Sequence, residues 1–370
     1  MTKVLFILKY REVSDPDHGV YSYTGLSSGL FNSARMVAEM LNAYGLNGEE
    51  CEAKLVQVVD NNCIDREVTQ FRPDVVIIEA IWVVPEKFEV LRRLHPKVKW
   101  LIRNHSNIPF LAQEGQTLGW ITQYVKEKNV YVGTNTKASL GDLRVLGCQR
   151  VDSDHYSHIQ DHKVVYFPNY YMTKMQPTWT PKPESNELHI GCFGAIRPLK
   201  NQLEQAVAAI KYGKKVGKHI YFHINAGRAE SGGMPIVKNL RNLFANSKTS
   251  TLIEHSWMPH ADFVKLIGTM DLSLQVSFSE TFNIVTADAV QQGVPVVGSP
   301  EVMWISPRYW ADPVSSDDIV EKMWVAFHDA KHGYHNVNQE SLAEYNAKSH
   351  RAISDTILKV LHHHDHHIEG

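Results

Sequence analysis

Short apolar runs alternate with amphipathic stretches from one end of this chain to the other, and that alternation constrains the fold more than any other feature of the sequence. A run such as residues 4–8, Val-Leu-Phe-Ile-Leu, has no polar alternate. Both of its faces must therefore be covered, as they are for a strand inside a parallel sheet. Residues 30–41 then place Leu30, Ala34, Val37, Ala38 and Leu41 on one helical face, and Gly45 and Gly48 stop the helix. Repetition of this pair is the signature of βα units and predicts an α/β fold. In the first half, further strands are predicted at 53–59, 74–78, 98–102, 130–132 and 164–167.

A Pro-rich polar segment, Gln176-Pro177-Thr178-Trp179-Thr180-Pro181-Lys182-Pro183, breaks the pattern, because proline excludes helix interior and central strand. A second alternating set follows, with strands at 188–193, 220–226, 251–255, 272–276 and 295–297. Its helices lie near 202–212, 235–244, 261–267, 284–292 and 316–329, and a last amphipathic stretch covers 341–361. The length of 370 residues also suits two cores better than one. The organisation expected is two Rossmann-like doubly wound domains, 1–170 and 188–345, facing across a cleft and joined by a linker at 171–187. Residues 346–370 would form a C-terminal helix packing back toward the first domain, and a His-rich tail.

Hydrophobic residues at 43% and charged residues at 21% exclude a disordered or fibrous chain. Lys plus Arg number 38 against 40 Asp plus Glu, a formal charge of -2, so no global basic surplus announces nucleic acid or a membrane. Cys51, Cys63, Cys148 and Cys192 are scattered without a CxxC, which argues against a zinc site or disulfide framework and for a reducing compartment. No run of 18 apolar residues exists, so a cytoplasmic chain without integral membrane association is expected. The tail residues 362–367 are read as an exposed His-rich terminus outside the fold, His255 and His260 as structural, and no metal ligand set is assigned. Two D-x-D tripeptides, Asp15-Pro16-Asp17 and Asp152-Ser153-Asp154, are read as solvated loop because neither follows a convincing strand.

Chemistry concentrates in residues 277–297, Ser-Phe-Ser-Glu-Thr-Phe-Asn-Ile-Val-Thr-Ala-Asp-Ala-Val-Gln-Gln-Gly-Val-Pro-Val-Val. A strand ends in a turn carrying Glu280, a helix begins within three or so residues, and Asp288 sits on its early turns. The amides of Phe282, Asn283 and Ile284 at that start form an anion site. Asp288 could accept the two hydroxyls of a ribose; the plainer alternative is an acidic cap on an ordinary helix. Beyond the first strand of the second domain, in Gly191-Cys192-Phe193-Gly194-Ala195-Ile196-Arg197-Pro198-Leu199-Lys200-Asn201, the cations Arg197 and Lys200 could neutralise a diphosphate. Taken alone, they could also be solvated surface charges.

Residues 277–297 resemble the E-x7-E signature of retaining GT-B glycosyltransferases of the family 4 type, and the segment with Arg197 and Lys200 resembles their G-R-x-x-x-x-K-G turn. Asp288 stands where the family has a second Glu, and Asn283 and Asn201 stand where it has glycine. The resemblance implies a GT-B fold and a nucleotide-sugar donor, UDP- or GDP-linked, with no further cofactor and no metal. It places Glu280 near the donor sugar, Asp288 on the ribose, and Arg197, Lys200, Gly194, Thr286 and the Phe282, Asn283 and Ile284 backbone at the diphosphate. In the first domain it matches Gly25-Leu26-Ser27-Ser28-Gly29 to the loop near the donor phosphate, with Gly29 as a binding residue. His105, in Arg103-Asn104-His105-Ser106, matches a histidine that touches the donor sugar, and the chemistry implied is sugar transfer with retention.

Asp17, His18, Tyr21 and Tyr23 in one loop, and Phe110 with Trp120 in another, are the candidates for the acceptor wall. The segments R-N-H-S-N and F-L-A-Q-E-G resemble viral members of this transferase group, which adds a hydroxymethylated pyrimidine in DNA to saccharides as an acceptor, with Arg11, Arg92 and Arg93 as phosphate contacts. Two other functions fit the same fold: a nucleotide-sugar epimerase, and a degenerate, non-catalytic binding protein.

Overall fold

The computed structural model describes residues 1–370 except 11, 16–18, 23–28, 173–175, 228, 231, 366, 367, 369 and 370, and only the backbone of 12–15 and 19–22. The chain forms two compact units, one from Met1–Val13, Leu30–Met172 and Asn346–Gly370, the other from Ser14–Gly29 and Thr173–Tyr345.

In the first unit, β1 (Thr2–Lys9), β4 (Cys51–Val58), β5 (Val75–Glu79), β6 (Lys99–Asn104), β7 (Val130–Thr134) and β8 (Val164–Tyr166) make a sheet in the order β4-β1-β5-β6-β7-β8. Every pairing is parallel. The uniform apolar runs cover both faces: Val4, Phe6 and Leu8 enter one core cluster, and Leu5 and Ile7 the other. Helix Val337–His362 adds Ile353, Ile357 and Val360 to the first of these clusters. A separate two-stranded sheet, β2 (Glu12–Asp15) with β3 (Gly19–Ser22), falls in a stretch the periodicity left as loop.

The second unit holds β9 (Glu187–Gly191), β10 (His219–Ile224), β11 (Ser250–Glu254), β12 (Leu272–Gln275) and β13 (Val296–Gly298), in the order β11-β10-β9-β12-β13 and again all parallel. The strand order reverses between β9 and β12, where doubly wound sheets open a crevice at their carboxyl ends. The Pro-rich segment is fastened to this unit: Trp179 donates its amide to Gln292 O at 3.1 Å and its indole N–H to Met270 O at 3.0 Å. Among the described residues no helix is long and apolar enough to cross a membrane.

Two readings of the sequence are corrected in part: residues 152–154 are solvated as expected but start a helix, and the tail docks at some of its residues. Asp152 is the N-cap of helix Ser153–His158, accepting from His155 N at 3.1 Å, because a short Asp side chain satisfies an orphan amide of the first turn. Among the tail's described residues His362 and His364 are exposed, while His363 and Asp365 dock into the fold. Asp365 is 4% exposed and Ile368 is 3% exposed and packed in the core, because the buried Lys163 ammonium needs a counter-charge and finds it in Asp365. Asp365 also accepts from Asn129 N at 2.8 Å. Removing one partner of a buried pair strands the other, so Asp365→Ala should cost about 3–5 kcal/mol in urea unfolding, and Lys163→Met/Asp365→Leu should recover part of it. An Asp365→Ala protein that unfolds at the wild-type midpoint would mean that the tail does not dock.

Three imidazoles bond in series across β9, β10 and the end of β11: His189 Nδ1 to His223 Nε2 and His223 Nδ1 to His255 Nε2, both 2.8 Å. Burial, reinforced by its two histidine neighbours, pushes His223 down to about 3 from the ordinary 6.5, and burial lowers His189 and His255 as well. With a depressed folded value, the unfolded chain takes up the proton first. Stability is therefore complete above about pH 6.5 and falls as pH drops, by up to about 1.4 kcal/mol per pH unit for a group shifted this far. Urea melts between pH 8 and 4 should show a shallower decline for His223→Gln than for wild type; parallel declines would contradict the ladder's role.

Candidate active site

The turn after β9 and the loop after β12 meet at the reversal of strand order. Gly194, at φ 115°, donates its amide to Asn225 Oδ1 at 2.9 Å. Arg197 pairs with Glu230 at 2.8 Å, and Lys200, ending the turn Pro198–Lys200, pairs with Glu280 at 2.6 Å. Asn201 then adopts φ 61° and donates to Val276 O at 3.0 Å and Pro313 O at 2.8 Å. Gln205, fully buried, accepts from Val276 N at 2.7 Å and donates to Lys200 O at 2.9 Å. Two side-chain amides thus lock the turn with its cations onto the loop with Glu280. Each cation already faces a carboxylate, so the four side chains sum to zero charge and an incoming anion competes with Glu230 and Glu280.

The helix Ile284–Gln292 begins at Asn283, whose φ of 59° is left-handed, a region that asparagine tolerates better than most residues. Its Nδ2 donates to Gln275 Oε1 at 2.9 Å and its Oδ1 accepts from the Thr286 amide at 2.9 Å and hydroxyl at 3.0 Å. Thr286 is 1% exposed, and with both groups turned onto Asn283 it holds the helix entrance. The Ile284 and Val285 amides still lack an intrahelical acceptor. Phe282 is buried, its ring stacked on Trp304 and Tyr345 and its carbonyl accepting from Trp304 Nε1 at 2.7 Å. Gly29 lies beside the helix start: a Cβ built on it would stand 3.5 Å from Ile284 Cγ2, an ordinary contact distance.

Asp288 is 2% exposed, with Oδ1 2.8 Å from His260 Nε2. His260, read from sequence as structural, is thus the group that orients the second acidic residue; 28 positions separate the two, and no local pattern links them. Glu301 is another residue that no local pattern singles out. Burial first, and then the Glu280 charge, raise its carboxyl above the ordinary value, so a second acidic group titrates beside Glu280.

In the first unit, His105 Nε2 lies 2.5 Å from Glu79 Oε2, and Arg103 Nη1 is 3.1 Å from Glu79 Oε1. Glu79 and Arg103 are both fully buried and face each other in the β5–β6 register. Burial alone would raise the Glu79 carboxyl, but Arg103 and then His105 outweigh it and hold it below its ordinary value. Burial, with Arg103 next, lowers His105. An ionised Glu79 therefore orients a neutral His105 as donor through Nε2. Phe110 sits half-buried in the short helix Ile108–Leu111. Asp17, His18 and Tyr23 lie outside the described residues, as does the side chain of Tyr21, and so does Arg11. Arg92 and Arg93 are paired with Glu127 and Glu89, each at 2.7 Å.

The Asn283 geometry has a measurable consequence. Asn283→Ala loses the cap and keeps the left-handed strain, for about 2–3 kcal/mol in chemical unfolding, whereas Asn283→Gly loses the cap without the strain and should cost about 1 kcal/mol. Equal losses in the two variants would contradict the strain.

No family model matches the chain, and no curated protein matches its sequence. Solved structures match it in shape. A variant of S. aureus TarM, in complex with Fondaparinux, alpha-GlcNAc-glycerol and UDP, has a TM-score of 0.56 at 14% identity over 81% of this chain, which spans 58% of that protein's length. HepE of Anabaena, in complex with UDP and glucose, has a TM-score of 0.61 at 13% identity, covering 98% of this chain and 99% of that one. Sucrose-phosphate synthase of Thermosynechococcus elongatus has a TM-score of 0.64 at 11% identity, covering 98% and 99%. At such identities the likeness is one of architecture, and two parallel, helix-flanked sheets with these neighbours identify the chain as a GT-B fold.

Proposed function

We propose that the chain is a glycosyltransferase that moves a sugar from a nucleoside diphosphate to an acceptor hydroxyl, with retention at the anomeric carbon. The observation that carries this reading is the Lys200–Glu280 pair, 2.6 Å apart in the loops after β9 and β12, beside the turn that starts helix Ile284–Gln292. A cation, an acidic group and a helix entrance in that arrangement suit a sugar diphosphate: the anion meets Lys200, Arg197 and the Ile284 amide, and Glu280 meets the sugar. UDP in the TarM and HepE complexes supports the donor class, UDP- or GDP-linked.

In this reading the ribose hydroxyls donate to Asp288, which His260 positions. Cleavage of the sugar–phosphate bond makes an oxocarbenium-like carbon and a more highly charged diphosphate, so the principal task is stabilising that leaving group. Lys200 and Arg197 do this by shifting from Glu280 and Glu230 toward the phosphates as charge develops. The leaving phosphate accepts the acceptor's proton, so no side chain serves as general base. His105, fixed as donor by Glu79, contacts the donor sugar. The acceptor is a saccharide or a hydroxymethylated pyrimidine in DNA.

Mass-resolved incubation with UDP- and GDP-sugars, saccharides and hydroxymethylated duplex DNA tests the reading. Lys200→Ala and Arg197→Ala should each lower kcat by about 10²–10³-fold. Because Lys200→Ala leaves Glu280 buried without its cation, Lys200→Met/Glu280→Gln serves as a stability control and should fold well yet stay inactive. Near-intact turnover in both single variants would refute the assignment. Conversion of the donor without any acceptor would indicate an epimerase, and nucleotide binding without turnover on any acceptor a binding protein.

A further inference from the structure

A cluster of histidines outside the candidate site has the makings of a ligand set. His158 and His162 stand four apart where helix Ser153–His158 runs into the π-turn Ile159–Lys163, so they share a face, and His363 comes to them from the segment after helix Val337–His362. One ring nitrogen from each lies within 4.8 Å of those of the other two. The His162 and His363 rings stack at 4.5 Å, and His158 lies 5.2 Å from His363 and 5.4 Å from His162.

Two observations mark this as more than aromatic packing. His162 Nδ1 is buried and has no hydrogen-bond partner among the described residues. Such a group loses its hydration without replacement, and a native fold normally provides a partner. The neighbouring rings, in contrast, are held from behind: His158 Nε2 is 3.2 Å from Asp365 Oδ1, and His363 Nδ1 is 2.8 Å from the Tyr131 hydroxyl. A carboxylate or hydroxyl on one nitrogen of a histidine fixes its ring and leaves the other nitrogen as the ligand atom. Asp365 is in turn anchored by Lys163 and the Asn129 amide.

We propose that His158, His162 and His363 bind a divalent transition-metal ion of the zinc class, which ties the C-terminal segment to the edge of the first unit's sheet. Three imidazoles suit zinc, with a fourth position for water. Nitrogens on a tetrahedral zinc stand roughly 3.3 Å apart, given metal–nitrogen bonds of about 2.0–2.1 Å, so binding rotates the rings out of their stack and draws them together. The Lys163 and Asp365 charges cancel, and the Lys359 ammonium, the cation that opposes the ion, donates to the Asp161 carbonyl.

The test is calorimetric titration of chelator-stripped, untagged full chain with Zn²⁺, together with thermal melts. One ion per chain and a raised Tm are expected. His162→Gln should weaken binding at least about tenfold and remove the Tm gain; it is the cleaner variant, because His162 Nδ1 has no bond to lose among the described residues, whereas His363→Gln also releases Tyr131. A chain with His362→Asn, His364→Asn, His366→Asn and His367→Asn should bind as wild type does. Loss of binding in that fourfold variant, undiminished binding in His162→Gln, or no stoichiometric uptake by wild type would overturn the site.

Discussion

A parallel sheet buried on both faces leaves chemistry nowhere to go but the strand ends, and this constraint organises both units. Along β1 the alternation of Val4, Phe6 and Leu8 with Leu5 and Ile7 uses each side chain for one core or the other. Polar side chains then collect where the strands stop. Glu79 and Arg103 are the last cross-strand pair of β5 and β6, and Gln275 ends β12 just before the loop that carries Glu280. Burial at those ends makes each polar group dependent on a partner, which is why Gln205, Gln275, Asn201 and Asn283 bond to one another's loops and leave little freedom in the turn around Lys200.

What could be read from sequence follows from the same constraint. The strands and helices were legible because uniform apolar runs and the 3.6-residue period are local properties, and Ile284–Gln292 begins and ends where its residues predicted. The Arg197–Lys200 and Glu280 segments were legible as residue types in order, with the family resemblance supplying their meaning. Long-range pairings were not. Glu79 and Arg103 meet only because β5 and β6 adopt one register, and His260 reaches Asp288 across 28 positions. The docked tail was missed for a related reason: its polar letters look solvated until the buried Lys163, 202 positions earlier, is seen to need Asp365.

The expected cations also look different once their partners are known. A sequence shows Arg197 and Lys200 as free positive charges, but the fold gives each a carboxylate, at 2.8 and 2.6 Å. Charges held in pairs cost less to bury than isolated ones. They also make anion binding an exchange of partners, which sharpens the demand on geometry: a ligand has to offer acceptors where the carboxylates now stand.

Asn201 and Asn283, at φ 61° and 59°, occupy the two positions where the resembled motifs have glycine. The backbone there requires a dihedral angle, and glycine is only its commonest solution. Asparagine meets the same requirement and adds a side-chain amide that glycine cannot supply, which converts two permissive hinges into bonded corners. A motif written as letters therefore describes one solution to a conformational problem, and chains that solve it with asparagine are recognised by comparing torsion angles where comparison of residue names passes them by.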